Sequence, residues 1–295
     1  MRSLHGVIPP VPTPFTQSGD LDVAALQGLI GALEPQVDGF LILGSNGEAA
    51  LLTEGERRRV FEAARKVIPA HKPMLVGTGG EATRLVAARH DEAAEVGADA
   101  ALVLPPHYYV GSMTEGALQK HYETLADSSP VPLLLYNFPG VTTLALSPAL
   151  VARLAQHENI VGIKDSSGNV AALTETVRQV PADFQVLTGN APTFLAALAL
   201  GARGGILAVA NVAARGYRRL YDAFCAGDLE TARALQFALN PLAQAVTTRY
   251  GVPGLKAAMR SQGVPAGYPR APLLDVDEGV ERDLRALLEA AQRAV

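Results

Sequence analysis

Tryptophan is absent from this chain, cysteine occurs once, and lysine only five times in 295 residues. The single Cys225 rules out an internal disulfide and any cysteine cluster for a metal. It falls in a segment that reads as helix, Tyr217 to Ala226, where packing is its simplest role. No spacing of His, Asp or Glu matches a metal site. The formal net charge is only −4 and is spread along the chain, with no basic run that would suggest nucleic acid or a membrane surface. Apolar runs stop well short of a bilayer span. The first residues, Met1 to Gly6, hold no continuous apolar segment before Pro9 and Pro10, so no signal peptide is expected. These absences predict a cytoplasmic protein.

What is present is core material. Apolar residues make up 48% of the chain, with no low-complexity tract, which suits one large domain with or without a small appendage. Short apolar runs alternate with amphipathic segments. Strands are expected at Val7–Ile8, Gly39–Leu43, Met74–Val76, Ala98–Leu104, Pro132–Tyr136, Ile160–Lys164, Gln185–Leu187 and Gly205–Val209. A helical segment follows each one. Thr53 with Glu56 three residues on forms a capping box at one helix start. Strict alternation with wholly apolar strands implies a parallel sheet covered by helices. Eight such units fit a (β/α)8 TIM barrel. A doubly wound open sheet is the alternative, but no Gly-x-Gly-x-x-Gly follows the first strand. After Gly227 only helical patterns remain, so residues 1–226 are expected to form the barrel and residues 227–295 a C-terminal helical region.

Chemistry in such a barrel gathers at the C-terminal ends of the strands. Lys164 stands there, at the end of the apolar run Ile160–Ile163 and before the turn residues Asp165-Ser166-Ser167-Gly168. A buried ammonium is costly unless it is paired or gives up its proton. A desolvated lysine can attack a carbonyl and form a Schiff base. A structural pair with Asp165, or a side chain reaching out of the strand end, is the plainer reading of that stretch alone. Other strand ends change the balance. They bring Gly44-Ser45-Asn46-Gly47-Glu48, Gly77-Thr78-Gly79-Gly80, His107-Tyr108-Tyr109, Tyr136-Asn137-Phe138-Pro139 and Thr188-Gly189-Asn190 to one rim. The Gly-Ser-Asn-Gly loop can turn backbone N–H groups toward a carboxylate, although most such loops are merely turns. Tyr136 lies one strand from Lys164, where a phenol could relay protons. A core tyrosine bonded to backbone is its plainer role, as interface packing is for Tyr108 and Tyr109. His107 is a further acid–base candidate.

With these residues in place, the chain resembles the dihydrodipicolinate synthase/N-acetylneuraminate lyase family of pyruvate-handling class I aldolases. The likeness covers nearly the whole chain. It rests on Thr13-Pro14-Phe15, the Gly-Ser-Asn-Gly-Glu loop, Tyr108-Tyr109, Tyr136-Asn137-x-Pro139 and Gly162-Ile163-Lys164-Asp165. The resemblance implies a (β/α)8 barrel with a C-terminal helical region, a homotetramer built as a dimer of dimers, and no metal or organic cofactor. It implies that Lys164 forms the Schiff base and Tyr136 relays protons. Ser45 would join that relay and, with Asn46, hold the substrate carboxylate. Tyr109 would reach into a neighbouring subunit's site, Gly189 and Ile206 would line the pocket, and Ser166 would touch substrate.

Within the family, synthases that use aspartate semialdehyde place an arginine where this chain has Val141. Glu54, Arg57 and Glu81 stand where feedback-regulated members have histidines and an asparagine. The chain is most similar to 4-hydroxy-2-oxoglutarate aldolases, through the Gly44–Glu48 loop, Asp183–Leu187, Ala210-Asn211-Val212 and Val246–Lys256. Lys256 belongs to that last stretch and is not a catalytic candidate. The sequence reading is therefore a Schiff-base lyase that cleaves 4-hydroxy-2-oxoglutarate to pyruvate and glyoxylate. Its partners would be small molecules, pyruvate with an aldehyde or 2-oxo acid. The alternatives are dihydrodipicolinate synthase and a non-catalytic 2-oxo-acid binding protein.

Overall fold

A computed structural model describes residues 4–295. Met1 to Ser3, part of the stretch read above for a signal peptide, lie outside the described residues. Eight strands form one sheet: β1 (Gly6–Ile8), β2 (Phe40–Ile42), β3 (Met74–Gly77), β4 (Ala100–Val103), β5 (Leu133–Asn137), β6 (Ile160–Asp165), β7 (Gln185–Thr188) and β8 (Gly204–Ile206). Their order is β1-β8-β7-β6-β5-β4-β3-β2. Just beyond β1, Pro10 bridges Leu41 of β2 in parallel, with Leu41 N–H donating to Pro9 O at 3.0 Å and Val11 N–H to Leu41 O at 2.8 Å. The sheet thus returns to its starting edge, and with helices between the strands the fold is the expected (β/α)8 barrel. Val161 apart, every strand residue is buried. That explains the continuous apolar runs, since a parallel strand covered on both faces has no polar side to show.

The chain divides into two compact units. The first holds residues 73–205 with the start of the chain. It contains β3 to β7, α3 (Thr83–Glu95), α4 (Glu115–Ser128), α5 (Pro139–Thr142), α6 (Pro148–Leu154), α7 (Val170–Gln179) and α8 (Phe194–Ala199). The second holds residues 6–72 and 206–295, with α1 (Val23–Leu33), α2 (Glu54–Val67), α9 (Ala210–Cys225), α10 (Leu229–Gln244), α11 (Gly251–Ser261) and α12 (Glu278–Arg293). Residues 227–295 hold no strand. Tyr268 makes a single bridge to Phe15, and a π-helical turn, Ala245–Arg249, joins α10 to α11.

Helix starts follow their caps. Asp22, Thr53, Thr114, Ser147, Asn169, Asp228 and Asp277 each accept a first-turn N–H, which satisfies donors that the helix itself cannot. The capping box at α2 is present, with Thr53 and Glu56 reciprocally bonded. The short α5 was not foreseen. It starts on Pro139, whose fixed φ suits a first helical position, but four residues carry too little periodicity to read.

Two histidines are buried in the first unit. On α3, His90 lies on the face of Val86 and Ala93. On α4, His121 lies on the face of Leu118 and Leu125. Nε2 of His90 meets Thr78 Oγ1 at 3.1 Å, and Nδ1 of His121 meets Thr83 Oγ1 at 2.8 Å. Burial pushes both rings down to about 4 from the usual 6.5; His121 lowers His90 further, and Glu81 partly opposes the shift at His121. Between those pH values the unfolded chain binds protons that the folded chain refuses. Stability is therefore full above pH 6.5 and falls as pH drops toward 4, by up to roughly 3 kcal/mol per histidine. Urea denaturation across that range should show the loss, and H90Q/H121Q should flatten it.

Candidate active site

The first unit positions Lys164 through strand register. In the parallel pairing of β5 with β6, Leu133 is opposite Ile160, but Leu134 is opposite Gly162. Val161 is the extra residue of a bulge, and the step carries forward. It sets Tyr136 opposite Lys164 and Asn137 opposite Asp165. Successive strand side chains point to opposite faces, so these become two cross-strand pairs, back to back. Gly162 is required at the step, because a Cβ there would lie 2.4 Å from Gln185 O on β7.

On one face, the Lys164 ammonium donates to Tyr136 Oη at 3.2 Å and lies 4.3 Å from the centre of the same ring. Lys164 is only 3% exposed and Tyr136 only 4%. On the other face, Asp165 accepts from Asn137 Nδ2 at 2.7 Å, from Ser167 N–H at 2.9 Å and from Ser167 Oγ at 2.5 Å. Both carboxylate oxygens are thus engaged away from Lys164. A Lys164–Asp165 pair is not what holds the lysine, and alternation along the strand explains why. The Tyr136 ring also stacks on Phe138, with centroids 5.7 Å apart.

Gly189 and Ser166 belong to the same group. Gly189 N–H donates to Asp165 O at 2.6 Å, and Ser166 N–H donates to Asn137 O at 2.8 Å. A Cβ on Gly189 would fall 1.9 Å from Ser166 Oγ and 2.9 Å from Lys164 Cε. The absent side chain is therefore the space in which lysine and serine sit. Chemically, the cluster offers a primary amine and a phenol in hydrogen-bond contact, with a small hydroxyl close by. That set can form a carbinolamine and pass its proton.

Tyr109 stands apart. It is 71% exposed, and its ring meets that of Tyr108 edge-on at 5.0 Å. Glu81, missed as a contributor here, holds this loop. Its carboxylate accepts the N–H groups of His107 and Tyr108 at 2.9 and 2.8 Å and pairs with His107 Nδ1 at 3.1 Å.

The second unit holds Ser45, Asn46 and Ile206. Ser45–Gly47 form a 3-10 turn directly after β2, and Ile206 is the buried last residue of β8. The motif's final residue, Glu48, adopts the left-handed conformation at φ 54° and is buried. Its carboxylate pairs with Lys256, which is wholly buried on α11. The Lys256 ammonium also donates to Thr13 O and Tyr268 O, each at 2.7 Å. Burial pushes this ammonium down to about 8 while Glu48 opposes the shift. Arg270 adds its own N–H to Glu48 at 2.8 Å, and its guanidinium donates to Gly19 O, Leu51 O and Glu56. Mainly through the Arg270 hydrogen bonds, Glu56 is held down at about 2. A signal for this cluster was legible: Lys256 is the one charge in Leu255-Lys256-Ala257-Ala258-Met259.

A family model described as the dihydrodipicolinate synthetase family matches residues 3–291. A 4-hydroxy-tetrahydrodipicolinate synthase of Methanoculleus marisnigri is 37% identical over 288 residues, covering 96% of this chain and 98% of its own. A Thermus thermophilus structure, provisionally named dihydrodipicolinate synthase, is 44% identical with a TM-score of 0.89, covering 97% and 98% of the two chains. The dihydrodipicolinate synthase DapA-2 of Bacillus anthracis is 28% identical with a TM-score of 0.94, covering 98% and 99%.

Substituting Gly189→Ala should crowd Lys164 and Ser166 together. We expect a destabilisation of about 1–3 kcal/mol, measurable by urea denaturation, because the added methyl must displace the Ser166 hydroxyl and press on the buried Lys164 side chain.

Proposed function

The chain belongs to the dihydrodipicolinate synthetase family, and we propose that it is a class I, Schiff-base enzyme that joins pyruvate to an aldehyde. The observation that carries this reading is the buried Lys164 amine in contact with the Tyr136 phenol. Lys164 Nζ attacks the ketone carbon of pyruvate, and the carbinolamine loses water to give an iminium. That cation draws electrons from the neighbouring C–H bond, so a methyl proton leaves and an enamine forms. The enamine carbon then attacks the aldehyde, making the new C–C bond, and hydrolysis frees the amine. Tyr136, hydrogen-bonded to Nζ, carries protons to and from the carbinolamine oxygen and the aldehyde oxygen. Ser166 and Gly189 shape the space beside Nζ. Ser45 and Asn46 bind the substrate carboxylate, Ile206 contributes an apolar wall, and Tyr109 serves the site of a neighbouring copy in a homotetramer.

Aspartate semialdehyde is the proposed aldehyde, since curated relatives covering the whole chain carry the name 4-hydroxy-tetrahydrodipicolinate synthase. This replaces the sequence preference for 4-hydroxy-2-oxoglutarate cleavage as the first reading. One residue favours that second reading. Val141, 47% exposed on α5, stands where synthases acting on aspartate semialdehyde have an arginine. Valine offers no bidentate partner to a carboxylate.

Borohydride added with pyruvate should leave a reduced adduct on Lys164, located by peptide mass mapping. Lys164→Ala should abolish both adduct and turnover. Tyr136→Phe should still form the adduct but turn over about 100-fold more slowly. Condensation of pyruvate with aspartate semialdehyde is the expected reaction. Turnover confined to 4-hydroxy-2-oxoglutarate would favour the second reading, and an adduct with no turnover in any assay would indicate a binding protein.

A further inference from the structure

We propose that Glu48 and Lys256 are positioning residues for the Ser45–Asn46 loop, and that through them the protein prefers 2-oxo acids over ketones that lack a carboxylate. The inference rests on the reading of that loop as the carboxylate-binding element.

Glu48 follows Asn46 by two residues and closes the 3-10 turn with its N–H on Ser45 O at 3.1 Å. It does so in the left-handed region, which is strained for any residue but glycine. Glycine would adopt that conformation freely, and the glycine of the motif sits one position earlier. The side chain is therefore what the site requires. Its two oxygens are taken from two directions, Oε1 by Lys256 Nζ and Oε2 by the Arg270 N–H. Lys256 donates to Thr13 O and Tyr268 O, and its charge lies against Glu48 Oε1. Thr13 in turn donates its hydroxyl to Gly47 O at 2.6 Å. Gly47 and Glu48 are thus fixed by buried polar contacts on both sides of one peptide.

Stability alone does not call for this arrangement. A buried ion pair repays little more than its desolvation, and a well-packed apolar pair commonly serves the fold as well. What the ion pair adds is direction: a fixed distance from α11 to the turn that presents Ser45 and Asn46. Neither Glu48 nor Lys256 acts on the reacting carbon. Their effect is on where the substrate carboxylate is received.

The test compares two ketones on the full-length protein, pyruvate and acetone, each trapped on Lys164 by borohydride and quantified by mass mapping. Three variants are used. Glu48→Asp keeps the charge and shortens the tether by one methylene, Glu48→Gln removes the charge, and E48Q/K256M removes both charges so that none is left buried alone. Thermal melts establish that each is folded. Half-saturation by pyruvate should rise roughly tenfold in the Gln and double variants and less in the Asp variant. Half-saturation by acetone should change less than twofold, and the adduct yield at saturation should hold. Equal losses for both ketones would mark the pair as a general support of the unit and overturn the inference. So would unchanged pyruvate half-saturation, or the failure of all three variants to fold. No adduct on wild-type Lys164 would remove the Schiff-base reading itself, a result separate from any of these.

Discussion

The parallel register of β5 against β6, stepped once at Val161, is the constraint on which the catalytic reading depends. Without the step, the unbroken ladder would set Leu134 opposite Val161 and Tyr136 opposite Ile163. Tyr136 would not face Lys164, and Asn137 would not face Asp165. One extra residue therefore fixes two functions at once. It brings amine and phenol together on one face, and it locks the strand ends on the other through the Asn137–Asp165 hydrogen bond. The loop that begins at Ser166 grows from that locked end.

The two buried lysines solve one electrostatic problem in opposite ways. Lys256 is surrounded by oxygens: it donates to two backbone carbonyls and is ion-paired with a carboxylate. Lys164 is nearly as buried but meets a phenol hydroxyl and the face of its ring. A carboxylate can only accept, whereas a phenol hydroxyl can both accept and donate. The same side chain is held against a carboxylate in one setting and against a phenol in the other.

Most of the fold was legible in the residues. Eight apolar runs, each too short for a helix and each followed by an amphipathic segment, leave few architectures open. The strands were found to within two or three residues, because burial on both faces strips them of polar punctuation. Lys164 was legible for the same reason, as one cation at the end of an apolar run. The structure then adds what periodicity cannot express. The bulge at Val161 is invisible in a stretch where every neighbour is apolar. α5 is too short to show a face. The role of Lys256 depends on Glu48, more than two hundred positions away, and no local pattern links them. Glu81 likewise looks like a surface charge until the N–H groups of His107 and Tyr108 are placed against it.

The distance along the chain between Glu48 and its partners has a consequence for biosynthesis. The ribosome delivers the Gly44–Glu48 loop early, but the lysine and arginine that complete it are added 208 and 222 residues later. Until then the turn has neither its counter-charge nor its anchor, and Glu48 favours water over burial. Closing so long a loop is among the slower events in folding. The early strands must remain tolerant of an exposed carboxylate throughout translation. A nascent chain truncated before Lys256 would carry the whole of the first unit and still lack a finished Ser45–Asn46 turn.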